Sequence, residues 1–228
     1  MSSIIDRWWR LREEVAEAAE RYQRQPDSIT IIGVSKYADM SQTAELIRAG
    51  CRDLGESRPQ SLWEKAEAMG TDGVRWHLIG HLQRNKSRRI LPWVHCIHSI
   101  DSMRLVEQIE VDAAKLKAPV SVMLEVNLTA DIGKTGMTRE ELWPVATRCC
   151  ELSHVKVLGL MGMAGIDNPF PGRDFAAIRR LRDELQQDLG EKLRLEQLSM
   201  GMSGDFVEAI AEGATMIRIG SRLFADHD

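Results

Sequence analysis

The hydrophobic pattern along the chain switches repeatedly between two periods. Short apolar, β-branched runs bounded by Gly, Pro, Asn or Asp read as buried strands at residues 29–35, 51–55, 74–80, 95–100, 120–127, 155–161, 194–200 and 215–220. Between them apolar residues recur every three to four positions, as on one face of a helix, at 42–49, 59–69, 85–91, 103–116, 139–152, 173–189 and 205–212. A charged amphipathic helix across about residues 3–24 precedes them. Thr138 with Glu141 has the form of a capping box, and Pro144 falls inside the helix that box would open, where it is expected to bend it.

Eight strand–helix repeats with no long linker or low-complexity tract predict an α/β fold. The expected architecture is a (β/α)8 barrel of the TIM type with an additional N-terminal helix, residues 1–228 forming a single domain. An open doubly wound sheet is the alternative, because periodicity alone does not prove closure. At 228 residues the chain is near the short end of barrel lengths and long enough to bury a sizeable core.

Composition excludes several classes. Hydrophobic content of 43% and charged content of 28% are ordinary for a globular protein, and a net charge of −4 exerts no general pull on nucleic acid or anionic membrane. No apolar run approaches transmembrane length, and the start MSSIIDRWWRLREEV lacks the uninterrupted apolar core of a signal peptide. Cys51, Cys96, Cys149 and Cys150 make no CxxC pair and no spaced metal set, as reduced cytosolic thiols would. A cytoplasmic protein is expected. His77 and His81 are four apart, but Gly80 lies between them where a strand ends, so metal geometry is not implied. The basic run Arg84, Lys86, Arg88 and Arg89 has no interleaved aromatic platform and reads as a solvated face. Trp8 and Trp9 are expected to pack on the barrel.

Lys36 changes the picture. It ends the run Ile29–Ser35, so its stem is expected in packed surroundings and its amine at whatever opens beyond the sheet. Partial desolvation favours a neutral amine, which can attack an aldehyde. Taken alone, a strand-terminal lysine is more often a snorkelling residue. Two later segments shift the balance. Leu198-Ser199-Met200-Gly201-Met202-Ser203-Gly204-Asp205 turns from strand to helix through Gly and Ser, and Arg218-Ile219-Gly220-Ser221 ends another strand in the same way. Backbone N–H groups and hydroxyls at such turns suit a phosphate. Barrel closure sets the last strand beside the first, so the two turns and Lys36 become neighbours at the carboxyl-terminal mouth, where this fold places its sites. Glu56, His77, Asp101, Asn127 and Met163 also fall at or just beyond strand ends. An aldehyde-seeking amine beside a phosphate cup points to one ligand, pyridoxal 5′-phosphate.

The segments Gly33-Val34-Ser35-Lys36, Asp53-Leu54-Gly55-Glu56 and Trp76-His77-Leu78-Ile79-Gly80-His81-Leu82-Gln83-Arg84-Asn85-Lys86 stand in that order. They are followed by Asn127 through Lys134-Thr135-Gly136, Gly159-Leu160-Met161 and the two Gly-Ser turns. In this set the chain resembles the pyridoxal phosphate homeostasis protein family, small single-barrel relatives of the alanine racemase N-terminal domain. The resemblance covers nearly the whole chain from residue 29. It implies Lys36 as the Schiff-base lysine, holding the cofactor as an aldimine. It also implies Ser203, Gly220 and Ser221 around the phosphate, with Arg218 facing the pyridine nitrogen. Gly201 and Met202 of the first turn are counted among the cofactor-binding residues, and so is His77, which is expected either near the barrel mouth or as a satisfied core histidine. Two departures stand out: Ser57 follows Gly55-Glu56 where the family usually has Asn, and Met161-Gly162-Met163-Ala164-Gly165 follows the sixth strand.

A guanidinium at the ring nitrogen disfavours its protonation and makes the ring a weaker electron sink than a carboxylate partner would. That suits a carrier or a racemase-like site better than a transaminase. A two-base racemase or decarboxylase is the alternative function, but it needs a second acid/base opposite the lysine. The only tyrosines are Tyr22 and Tyr37, and a continuing strand pleat would point Tyr37 away from Lys36. The expected function is therefore non-enzymatic: intracellular buffering of pyridoxal phosphate and its delivery to apoenzymes, by a monomer that engages neither nucleic acid nor membrane. Lys134, flanked by Gly133 and Gly136, is the candidate for an amine that helps release the aldehyde.

Overall fold

The computed structural model describes residues 3–128, 135–165 and 168–224. Eight strands form a closed parallel barrel in sequence order, β1 (Thr30–Val34), β2 (Asp53–Glu56), β3 (Arg75–Leu78), β4 (Cys96–Ile100), β5 (Val120–Glu125), β6 (Val155–Met161), β7 (Gln197–Ser199) and β8 (Met216–Ile219). Closure is the pairing of β8 with β1, from Thr30 opposite Met216 to Gly33 opposite Ile219. This excludes the open sheet. The helices are α1 (Ile4–Arg21), α2 (Met40–Arg48), α3 (Pro59–Met69), α4 (Ser87–Ile90), α5 (Met103–Ala113), α6 (Arg139–Cys149), α7 (Pro171–Leu189), α8 (Phe206–Ala211) and α9 (Ser221–Phe224).

Local chemistry sets the helix starts. Thr138 and Glu141 form the expected capping box, Glu141 N–H donating to Thr138 Oγ1 at 3.3 Å and Thr138 N–H to Glu141 Oε2 at 2.9 Å. Ser3 with Asp6 and Asp39 with Gln42 make two more. Pro144 lies inside α6. The stretch 85–91 is not one helix: a 3-10 turn at Arg84–Lys86 leads into the single turn of α4. Adjacent helical residues point about 100° apart, and this separates the two tryptophans of α1. Trp8 is buried against the barrel, whereas Trp9 is half-exposed with Arg12 over its ring.

Most of the core lies between the barrel and the helices, where Leu54, Leu62, Leu78, Ile97, Phe175, Ile217 and Ile219 are fully buried or nearly so. Inside the barrel, Cys96, Met123 and Met161 form a separate small cluster. Beside it, buried polar residues fill the interior: Asp53, His77, His98, Ser199 and Arg218.

Candidate functional site

A cavity of about 630 Å³ opens at the carboxyl ends of the strands, a usual size for a small-molecule site. Lys36, Met202, Ser203, Arg218, Gly220 and Ser221, all expected at the site, line it. Val34, Tyr37, Gln42, Ser57, Ile79, Met161, Met163, Gly204 and Phe224 complete the wall.

Lys36 stands on a turn rather than a strand. β1 stops at Val34, and Ala38 N–H donates back to Ser35 O at 3.0 Å, leaving Lys36 and Tyr37 at the exposed tip. The packed stem expected from sequence is therefore absent: Lys36 is exposed. Tyr37 does not point away either, because the pleat has ended; Lys36 Nζ lies 5.0 Å from the centre of its ring. The turn is fixed from beneath. Lys65 of α3 donates to Ser35 O at 2.7 Å, Ala38 O at 3.0 Å and Glu56 Oε1 at 2.6 Å, and Ser35 Oγ donates to the same Glu56 oxygen at 2.8 Å. Glu56 thus faces the helices, not the mouth. Gly55 before it packs inward, where a β-carbon would come within 2.9 Å of Ile32.

The opposite wall is built from the two Gly-Ser turns. Gly201 adopts φ +93°, and a β-carbon there would sit 2.5 Å from Ala209, so the chain can turn onto α8 only as glycine. Gly201 itself does not line the cavity; its part is to shape the turn. Met202 N–H is taken by Asp205 Oδ1 at 2.5 Å, so Met202 meets the cavity with its exposed side chain. A β-carbon on Gly204 would meet nothing within 4 Å, which leaves open room in the cradle beside Ser203. Ser221 opens α9, where the first N–H groups have no preceding helical acceptor. Gly80, outside the cavity, backs onto the Ser57 backbone so closely that a β-carbon would lie 2.3 Å from Ser57 O. That contact holds Ser57 at the wall.

Arg218 is buried, and its guanidinium is held by acceptors. Nη1 donates to Ser199 O at 2.7 Å and Ser199 Oγ at 2.8 Å, and Nη2 to Gly162 O at 3.1 Å. Burial brings its pKa down to about 10, with Glu125 and Asp205 opposing. His77 is a correction. It does not reach the mouth but lies buried inside the barrel, Nε2 3.0 Å from Asp53 Oδ1 and Nδ1 2.9 Å from His98 Nε2. On a strand, residue parity decides the face and distance from the end decides the height; His77 points inward two residues before Ile79, the inward residue that meets the cavity. His81, three residues beyond β3, pairs with Asp101 at 3.0 Å.

Donor atoms of His77, Cys96 and His98 lie within 4.8 Å of one another. The facing histidine nitrogens already share a hydrogen bond with each other, and burial pushes the Cys96 thiol far above its ordinary range. Glu125 is buried as well: Oε1 accepts from Thr135 Oγ1 at 2.7 Å, Oε2 has no partner among the described residues, and burial raises its pKa. Lys134 lies outside the described residues.

Comparison with known proteins adds to this geometry. Residues 10–228 match the family model of the alanine racemase N-terminal domain. The pyridoxal phosphate homeostasis protein of Aquifex aeolicus is 38% identical over 98% of each chain, and that of Escherichia coli 32% over all of this chain and 98% of the relative. The chain belongs to this family. Among solved structures, PipY from Synechococcus elongatus, solved with pyridoxal phosphate bound, shares 36% identity at a TM-score of 0.82 over 92% of this chain and 100% of its own. Alanine racemase from Clostridium difficile shares the barrel alone, at 14% identity and a TM-score of 0.74 over 93% of this chain and 58% of its own.

Lys65 is the residue supporting the Lys36 turn that the sequence does not single out, whereas Glu56 stands at the strand end expected of it but turns to the helices. The helical pattern at 59–69 marked Lys65 only as a charged helix position. A lysine on the apolar stripe of that helix, one turn beyond the buried Leu62, was the available signal.

Proposed function

We propose that this protein binds pyridoxal 5′-phosphate covalently through Lys36 and serves in its homeostasis as a carrier rather than as an enzyme. The observation that carries the reading is that one cavity gathers an exposed primary amine, two Gly-Ser turns and a buried guanidinium. These residues fit the cofactor. The Lys36 amine would hold the aldehyde carbon, Ser203, Gly204, Gly220 and Ser221 would hold the phosphate, and Arg218 would face the ring nitrogen. When bound, the cofactor supplies an electrophilic carbon and an electron-withdrawing ring. The chain's own residues orient it and limit that ring. The relatives named as pyridoxal phosphate homeostasis proteins, and PipY with its bound cofactor, support the reading.

A carrier must also let go. The turn bearing Lys36 is exposed, so an amine from a recipient apoenzyme can approach it from solvent. We place this exchange in the cytoplasm and assign it to a monomer; four free cysteines accord with a reducing compartment. Among the described residues no helix is long and apolar enough to cross a membrane. The test is an absorbance spectrum of the purified protein with added cofactor, followed by borohydride reduction and peptide mapping. A visible-edge band that reduction fixes on Lys36, and that Lys36→Ala loses, is expected; label found only on other lysines defeats the proposal.

A further inference from the structure

A chain of five side chains crosses the barrel interior, from Asp53 at the start of β2 to Arg218 in the cavity wall. Asp53 Oδ1 and His77 Nε2 are 3.0 Å apart, His77 Nδ1 and His98 Nε2 2.9 Å, His98 Nδ1 and Ser199 Oγ 2.9 Å, and Ser199 Oγ and Arg218 Nη1 2.8 Å. We propose that Ser199, His98 and His77 are positioning residues for Arg218. In this arrangement Asp53 fixes the direction of every hydrogen, so that the Ser199 hydroxyl meets Arg218 only as an acceptor. The inference rests on the reading that Arg218 faces the cofactor ring, and it extends that reading to the residues behind the arginine.

The direction follows from counting donors. Arg75 donates to both Asp53 oxygens, from Nε and Nη2, at 2.6 Å each. Burial works to raise the Asp53 carboxyl, but the bonds from His77 and Arg75 together outweigh it and bring it down to about 2. An ionised carboxylate only accepts, so His77 must donate from Nε2. In the proposed arrangement His77 Nδ1 keeps its lone pair, and His98 must donate to it from Nε2. His98 is left with a lone pair on Nδ1, which the Ser199 hydroxyl must fill with its single hydrogen. The lone pairs of Oγ remain for Arg218. Four bonds contain four hydrogens, with none in surplus and none missing.

The other arrangements fail. Reversal needs a hydrogen on Asp53. A charged His77 would turn His98 around and make it donate to Ser199, whose own hydrogen would lose its acceptor. It would also set a cation beside the buried ring of His98 at 5.1 Å and the exposed ring of His95 at 5.4 Å. The charged groups facing this stretch are Asp53, Arg75 and Arg218; burial holds both His95 and His98 below the ordinary histidine range. A guanidinium fork has five donors and no acceptor, so a hydroxyl hydrogen aimed at it would repel it. The tautomer of His98 therefore decides whether the Ser199 hydrogen is held by an acceptor or left without one beside the guanidinium.

The test uses the full chain with 15N-labelled histidine, with and without added pyridoxal phosphate. Long-range 1H–15N spectra at neutral pH should show His77 and His98 both protonated on Nε2 and bare on Nδ1. A His98 hydrogen on Nδ1, or a cationic ring at either position, overturns the proposal. Ser199→Ala removes the hydroxyl and keeps the carbonyl that also holds Arg218. In that variant the Lys36-linked absorbance band should still form, while the midpoint of its pH titration shifts. An unshifted midpoint with the His98 tautomer unchanged means that the chain does not act on Arg218, and the idea fails. If the unaltered protein forms no band, the cofactor reading falls, and the tautomers of the free protein alone decide the chain.

Discussion

Lys65 Nζ sits 2.6 Å from Glu56 Oε1 in a buried pair outside the barrel, and the same ammonium donates to the carbonyls of Ser35 and Ala38 that bracket Lys36. The candidate cofactor lysine is exposed, so packing does not set its place. The turn does, and a buried charge pair holds the turn. Lys65 and Glu56 side chains are 10% and 1% exposed, so neither charge is well solvated if the other is lost.

Lys65→Met is therefore expected to cost about 3–5 kcal/mol of stability, measured by denaturant unfolding, because Glu56 is left buried and unpaired. It should also reduce cofactor loading, read as band amplitude at saturating ligand. Adding Glu56→Gln should recover part of the stability but not the loading, since the Ser35 and Ala38 carbonyls stay unanchored. Full recovery of both would mean that the pair stabilises the fold without placing Lys36.

Ser203 stands at the open side of the cradle, next to Gly204. Ser203→Ala is expected to weaken pyridoxal phosphate binding by about 1–3 kcal/mol, the range for a hydrogen bond to a charged acceptor. Binding of pyridoxal, which has no phosphate, should hardly change. Titration of both ligands by absorbance checks this, and equal losses for the two would remove Ser203 from the phosphate site.

The Asp53 carboxyl, at about 2, lies below its ordinary 3.8. A depressed carboxyl contributes stability that is present above the unfolded value and lost as pH falls through the folded one. Asp53 should therefore contribute about 2 kcal/mol at neutral pH, fading between about pH 4 and pH 2. Asp53→Asn should be less stable than the unaltered chain at pH 7, with the gap narrowing across that window in denaturant titrations. A gap that stays constant down to pH 2 would show that the hydrogen bonds of Asp53, not its ionisation, carry the effect.

The barrel and its mouth were legible because they depend on period and order. Strand ends such as Val34 and Ile219 need only the alternation of apolar runs, and closure brings Lys36 to Ser221 whatever the side chains between them do. Positions that depend on side-chain height and partner were not legible. His77 belongs to the interior rather than the mouth because it lies within β3, beneath Ile79, the residue that does line the cavity. Lys65 lies thirty residues after Ser35, on a helix whose pattern sets it on the apolar stripe but does not say that its ammonium reaches back to that carbonyl. Nor does composition announce that a barrel core would hold Asp, two His, Ser and Arg joined end to end. Each would read alone as a surface residue or an isolated exception, and only the three-dimensional partners make them a set.

Tyr37 bears on whether the site turns over amino acids. A two-base exchange at a substrate carbon needs groups on opposite faces of the cofactor. Tyr37 shares the turn of Lys36, with its ring 5.0 Å from the amine, so the two stand on one side. Arg218, which the proposed binding mode sets at the ring nitrogen, would further weaken the electron sink that carbanion chemistry requires. The protein with cofactor bound should therefore racemise or decarboxylate common amino acids no faster than free pyridoxal phosphate, followed by chiral chromatography. Tyr37→Phe should leave that baseline where it is. Sustained turnover well above free cofactor, lost in Lys36→Ala, would make the site an enzyme after all; if Tyr37→Phe lost it as well, the phenol would be its second base.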